Sequence, residues 1–189
     1  MSNTDEKTLE KRYIYKGRII NVRNDRAELP DGKEVLREVV EHPGGVAVLP
    51  LTAENEVIFV RQFRYPYYMQ ILEIPAGKLE HGRDPFSEGQ RELREETGNT
   101  ASLWYDLGKM LPSPGYATEC IYLYACSGLT FKGQQLDEDE FLDLVTVPYE
   151  KAVSMVLDGT LTDGKTQAAI LKYDMLRAKG MLESRLKTV

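Results

Sequence analysis

The sequence predicts an α+β fold, an α/β/α sandwich with a mixed β-sheet between helices, preceded by an N-terminal β-hairpin segment. Three observations lead there. The first half carries short β-rich runs punctuated by Gly and Pro turns. A strongly signalled helix occupies the middle, and two helical stretches close the chain. The 189 residues, 42% of them hydrophobic, suffice for one substantial core.

The elements follow in order. The first 11 residues are polar and are expected to fray. Runs at 13–20 and 21–29 read as strands. Pro30-Asp31-Gly32 is a turn signal, and 34–41 is the returning strand of a hairpin. His42-Pro43-Gly44-Gly45 breaks the pattern. It divides an N-terminal β-rich segment, 1–41, from a larger domain, 42–189. Runs at 46–51 and 57–63 are strands joined by a polar turn, and 71–74 is another. Asp84-Pro85 opens a helix: Asp caps free amides, and Pro suits the first helical position. The helix runs to about Thr97, and Gly98-Asn99 ends it. Strands follow near 104–111, 120–126 and 141–147. Helices start at Pro148-Tyr149, reaching about Leu157, and near Asp163, reaching about Lys179.

Composition narrows the function. The formal charge is 24 − 30 = −6, which disfavours nucleic acid, since duplex binding needs clustered Lys and Arg. A small phosphorylated ligand is compatible, because a few Arg side chains and bound cations act locally. The N-terminal stretch has no apolar signal core, and no apolar run approaches the roughly 20 residues that span a membrane. The expected compartment is the cytoplasm. Cys120 and Cys126 lie on one strand with even spacing, too far apart for a disulfide, and read as small core residues.

The densest chemical signal is Arg91-Glu92-Leu93-Arg94-Glu95-Glu96-Thr97-Gly98. On a helix, Glu92, Glu95 and Glu96 point to one side and repel one another. A hard divalent cation removes that objection, because Mg²⁺ takes oxygen ligands and bridges carboxylates to phosphates. Glu92, Glu95 and Glu96 are therefore the metal-ligand candidates. Arg91 can ion-pair with Glu95, one turn on. Pro75-Ala76-Gly77 is a tight loop able to bring a backbone carbonyl close.

The stretch from Gly77 to Asn99 resembles the Nudix box, G-x5-E-x7-R-E-U-x-E-E-x-G-U, where U is bulky and apolar. Every fixed position matches except two: Arg83 replaces the first Glu, and Asn99 replaces the last apolar residue. Ser113-Pro114-Gly115 beyond the box is similar to the marker of the ADP-ribose pyrophosphatase subgroup. Gln62-Phe63-Arg64, Glu73-Ile74-Pro75-Ala76-Gly77 and the acidic run 136–140 fit the same order.

The resemblance implies Mg²⁺-dependent hydrolysis of ADP-ribose to AMP and ribose 5-phosphate, with Mn²⁺ as an alternative cation. The Ala76 carbonyl joins the metal set. The general base falls in the acidic loop, on Glu138 first and Glu140 second, and Glu95 and Arg91 complete the catalytic group. In the family, the Glu at position 83 supports the box arginine. Here Glu88, one turn before Glu92, is the replacement partner for Arg91. Arg64 corresponds to a phosphate binder, Glu38 to a contact of the adenine amino group, and Glu119 to a contact of the terminal ribose. Ser113, Pro114 and Gly115 belong to the same substrate set. Arg37 stands where relatives place an aromatic ring, and its guanidinium plane can stack on a base. His42 and His81 receive no role. Related enzymes exchange N-terminal hairpins, so a homodimer is expected through 1–41. The alternatives are hydrolysis of another nucleotide sugar, such as a GDP-sugar, and a catalytically silent ADP-ribose binder.

Overall fold

The computed structural model describes residues 4–80, 82–136 and 140–188. Two compact units emerge. One comprises residues 1–44 and 111–120, the other residues 45–110 and 121–189.

In the first unit, β1 (Lys7–Glu10) and β2 (Tyr13–Lys16) both pair antiparallel with β3 (Asn21–Glu28), which also pairs with β4 (Glu34–Glu41). Gly32 turns the β3–β4 hairpin at φ 84°, a left-handed conformation that glycine adopts without strain. Strand β1 overturns the expectation of a frayed start. Its side chains are all exposed, so its polar composition carried no burial signal, and its backbone is held by the ladder to β3. Residues 111–120 lie against the end of β4. The Val40 amide donates to the Tyr116 carbonyl (2.8 Å), and the Thr118 amide donates to the Val40 carbonyl (2.9 Å).

The second unit is built on a five-stranded sheet with strand order β12-β9-β10-β5-β8. The strands are β5 (Gly45–Pro50), β8 (Ala76–Lys78), β9 (Asn99–Met110), β10 (Ile121–Phe131) and β12 (Leu186–Lys187). Strand β10 runs parallel to β5 and antiparallel to β9, which makes the sheet mixed. A three-stranded sheet, β11-β6-β7, adds β6 (Glu56–Arg64), β7 (Met69–Glu73) and β11 (Leu142–Pro148). The tight loop expected at 75–77 ends in β8, which pairs with β5 through residues 76–78. Cys120 precedes β10 and is half-buried, while Cys126 is buried; both are free thiols.

Alternation along β5 explains the layers. Val46 and Val48 face one cluster with Leu93 of α1 (Pro85–Thr97), together with Trp104, Tyr124 and Cys126. Ala47 and Leu49 face the other cluster, with Ala169, Ile170, Tyr173 and Leu176 of α3 (Gly164–Ala178). Helix α2 (Tyr149–Leu157) adds Tyr149 and Ala152 to that second cluster. A sheet apolar on both faces, with a helix over each, is the expected sandwich. Among the described residues, no helix is long and apolar enough to cross a membrane.

Candidate active site

Helix α1 positions the acidic cluster. Asp84 caps it, accepting from the Ser87 amide at 3.0 Å. Gly98 ends it at φ 74°, its amide donating to the Arg94 carbonyl at 2.8 Å. Leu93 is driven into the core beneath, so Glu92 and Glu96 are pressed against the sheet and are only 6% and 2% exposed.

The turn between β7 and β8 meets them. The Ala76 amide donates to a Glu96 carboxylate oxygen at 2.9 Å. Gly77 comes so close to Glu92 that a Cβ there would lie 1.8 Å from Oε1, so any larger residue would displace the Glu92 carboxylate. The same turn is tied from the other side: the Ile74 amide donates to Thr166 Oγ1 at 3.0 Å, in the first turn of α3.

Arg91 gathers the cluster. Its guanidinium donates to Glu92 Oε1 at 2.5 Å, to Glu88 Oε2 at 3.0 Å, and also to Glu95. Glu88 is 1% exposed, and Arg83 Nη1 lies 3.4 Å from its other oxygen. Glu88 is thus a buried anion between two guanidinium groups rather than a solvated residue on the helix face.

Burial pushes the Glu92 carboxyl up to about 7, with Arg91 opposing and Glu95 and Glu140 adding repulsion. Burial likewise pushes Glu96 up to about 8; the Ala76 amide and Arg64 oppose this, while Glu92 and Glu140 add to it. As the side chains stand, no three His, Cys, Asp or Glu side chains converge as a metal-ion site among the described residues. Glu92 and Glu95 turn to Arg91 and Glu96 to Ala76. The donor chemistry nonetheless fits a hard cation. The side chains gathered there are all carboxylic acids, and positive charge would relieve the crowding that raises them.

Arg64, at the end of β6, forks onto Glu73, with Nε to Oε1 at 2.6 Å and Nη2 to Oε2 at 2.7 Å. Lys165 of α3 donates to the same carboxylate and to Asp163 at 3.0 Å. The Arg64 charge reaches Glu96, so it borders the acidic cluster, with its fork engaged by Glu73. Sequence reading missed Glu73 and Lys165, because nothing local signals a pair 92 residues apart. It also missed Gln134 and Gln135. The Gln134 side chain donates to the Glu96 carbonyl (2.6 Å), and the Gln135 amide to the Glu95 carbonyl (3.0 Å). These bonds fasten the start of the acidic loop to the C-terminal end of α1. Glu140, half-buried, lies near enough to raise both Glu92 and Glu96. Glu138 lies outside the described residues, as does His81.

The remaining candidates fall in the first unit. Glu38 is exposed on β4. Arg37, beside it, is forked onto Glu6 at 2.8 Å through both Nε and Nη2. Ser113, Pro114 and Gly115 sit in the loop that lies against β4, where the Ser113 carbonyl accepts from the Ala117 amide at 2.9 Å. A Glu119 carboxylate oxygen lies 3.4 Å from His42 Nδ1. The structure therefore groups Glu38, Arg37, Ser113–Gly115 and Glu119 in one unit, and Ala76, Arg64, Arg91, Glu92, Glu95, Glu96 and Glu140 in the other.

Known proteins match most of the chain. Residues 41–169 match the NUDIX domain, and residues 6–40 match the nucleoside diphosphate sugar hydrolase N-terminal domain. The chain is 42% identical over 172 residues to an ADP-ribose pyrophosphatase of Bacillus subtilis, covering 90% of this chain and 93% of that protein. It is also 42% identical over 168 residues to a methanol dehydrogenase activator of Bacillus methanolicus, covering 88% and 91%. A solved structure titled as an ADP compounds hydrolase superposes with a TM-score of 0.82, at 20% identity, over 96% of this chain and 99% of that one.

Proposed function

The chain belongs to the Nudix family, and from that premise we propose that it hydrolyses the pyrophosphate of ADP-ribose to AMP and ribose 5-phosphate. The observation carrying this reading is the buried pair Glu92 and Glu96 closed over Ala76-Gly77, in a chain 42% identical to an ADP-ribose pyrophosphatase over most of its length.

Divalent-metal dependence is general among such enzymes, and Mg²⁺, with Mn²⁺ as substitute, is the proposed cation. Glu92, Glu95, Glu96 and the Ala76 carbonyl would hold it. Bound there, it would offset the charge of the pyrophosphate and favour both attack by water and departure of the phosphate oxygen. With the cation held, Arg91 would keep its contact with Glu88. Arg64, kept rigid by Glu73, presents positive charge beside the cluster for the phosphates. Glu138, or Glu140 at the described end of the same loop, takes the proton from water. Glu38, Arg37, Ser113, Pro114, Gly115 and Glu119 are proposed to read the nucleoside and the second ribose.

A cytoplasmic homodimer joined through residues 1–41 completes the proposal, with 42–189 as the hydrolase domain. Tyr13, Ile14, Tyr15 and Leu36, all exposed on β2 and β4, support a partner surface. Light scattering on the purified protein should return twice the 21.5 kDa chain mass.

The deciding experiment is AMP release from ADP-ribose with Mg²⁺, in wild type and Glu96→Gln. Turnover in the wild type and a fall of at least about 10²-fold in the variant is the expected result. Tight binding without turnover would replace hydrolysis by sensing. Turnover of GDP-mannose in preference to ADP-ribose would move the substrate to another nucleotide sugar.

A further inference from the structure

We propose that Glu88 is the positioning residue of this acidic site, holding Arg91 in place for Glu92 and Glu95, with Arg83 as its outer partner. The inference rests on the Nudix reading for the identity of the site, and adds a division of labour specific to this chain.

Two observations carry it. Glu88 is enclosed, and a buried carboxylate persists only with partners; among the described residues it has two guanidinium groups, Arg91 at 3.0 Å and Arg83 at 3.4 Å. Arg91 in turn touches three carboxylates, Glu88, Glu92 and Glu95. Glu92 and Glu95 are proposed ligands, so their hold on Arg91 loosens when they turn to a cation. Glu88 is the partner that stays.

Position 83 is the motif position from which a carboxylate is expected to support Arg91. Here it carries the opposite charge, and the carboxylate stands at 88, within reach of both arginines. Arg83 itself is exposed and also pairs with exposed Glu80 at 2.8 Å, so it is an outer support and not the anchor.

The test uses Mn²⁺ binding followed by electron paramagnetic resonance, with kcat and KM for ADP-ribose measured in parallel. The proteins are wild type, Glu88→Ala, Glu88→Gln and the double variant Arg83→Glu/Glu88→Ala. Loss of a residue that orients metal ligands weakens metal binding or activity by about 10–100-fold. Glu88→Ala should show a loss of that size in Mn²⁺ affinity and in kcat, with KM changed by no more than about threefold. Arg83→Glu should restore most of both.

Wild-type Mn²⁺ affinity and kcat in a folded Glu88→Ala or Glu88→Gln would overturn the proposal. Glu88→Gln keeps the shape of the side chain, so it decides the matter if the alanine variant does not fold. A folded double variant that binds Mn²⁺ no better than Glu88→Ala would refute the exchange of roles between 83 and 88. Wild-type protein inert toward ADP-ribose, yet losing Mn²⁺ in Glu88→Ala, would sink the substrate reading and leave this one standing.

Discussion

Replacing Gly77 by alanine tests the site at its tightest point. The added methyl would lie 1.8 Å from Glu92 Oε1 and 2.1 Å from its Cδ, whereas ordinary contact begins at 3.4 Å. The carboxylate must therefore retreat by about 3.4 − 1.8 = 1.6 Å. It cannot remain where it is, because the methyl is fixed to the β8 backbone, paired with Val46 of β5. It can move, because it is the free end of a flexible side chain, so the fold should survive. A misplacement of about 1 Å in a reacting group costs on the order of 10²-fold in rate, or about 2.7 kcal/mol of barrier. Gly77→Ala should thus lose about 10²-fold or more in kcat on ADP-ribose at any Mg²⁺ concentration. Its melting temperature should fall by only a few degrees. Gly164→Ala serves as the control: nothing lies within 4 Å of its new methyl, and it opens α3. That variant should keep full activity and gain about 0.4–1 kcal/mol from a less flexible unfolded chain. A folded Gly77→Ala enzyme within about threefold of wild-type kcat would refute the claim that Glu92 needs the space beside Gly77.

Other perturbations follow from the same contacts. Glu96 at about 8 sits above its ordinary value of 4.5, so the unfolded chain ionises first as pH rises. Without metal, the Glu96 contribution to stability should be greatest in acid, decline from about pH 4.5 and level off above about pH 8, a loss on the order of 3–5 kcal/mol. In EDTA, Glu96→Gln should therefore melt higher than wild type at pH 8 and close to it at pH 5. An equal drop at both pH values would show that Glu96 is no burden to the metal-free fold. Thr166→Val leaves the buried Ile74 amide without its acceptor, and urea unfolding should register a loss of about 1–3 kcal/mol. Glu73→Gln weakens the partner of both Arg64 and Lys165, and denaturation should show a loss of about 3 kcal/mol. A change under about 0.5 kcal/mol would mean that solvent screens this buried group.

What could be read in advance was local. Asp84 before Pro85, Gly98 after Thr97 and Asp163 before α3 each placed a helix end, because a cap is decided by the residues next to it. Pro30-Asp31-Gly32 placed the hairpin for the same reason. The acidic face of α1 was visible because three carboxylates at helical spacing demand an explanation. What stayed hidden was decided by distant neighbours. Strand β1 is polar and exposed, and its existence depends on β3 offering an edge. Glu73 and Lys165 meet across 92 positions. Arg64 and Arg37 both read as open guanidinium groups, yet Glu73 and Glu6 have claimed their forks. Glu88 could be named as a partner for Arg91 from its helical spacing, but its burial was set by the packing of α1 on the sheet.

The bridge between Val40 and Ala117 bears on the order in which this protein can be made. The two residues are 117 − 40 = 77 positions apart, and the chain passes through β5 to β9 between them. On a ribosome extending at about 5–20 residues per second, Val40 waits for about 4–15 seconds before its partner is synthesised. A free strand edge is exposed throughout that interval, open to pairing with another nascent copy. The N-terminal strands also cannot be excised at residue 44 without leaving 111–120 behind. Expression of residues 1–44 alone should give an aggregating fragment, and adding the detached peptide 111–120 is the most direct way to ask whether that edge is the cause.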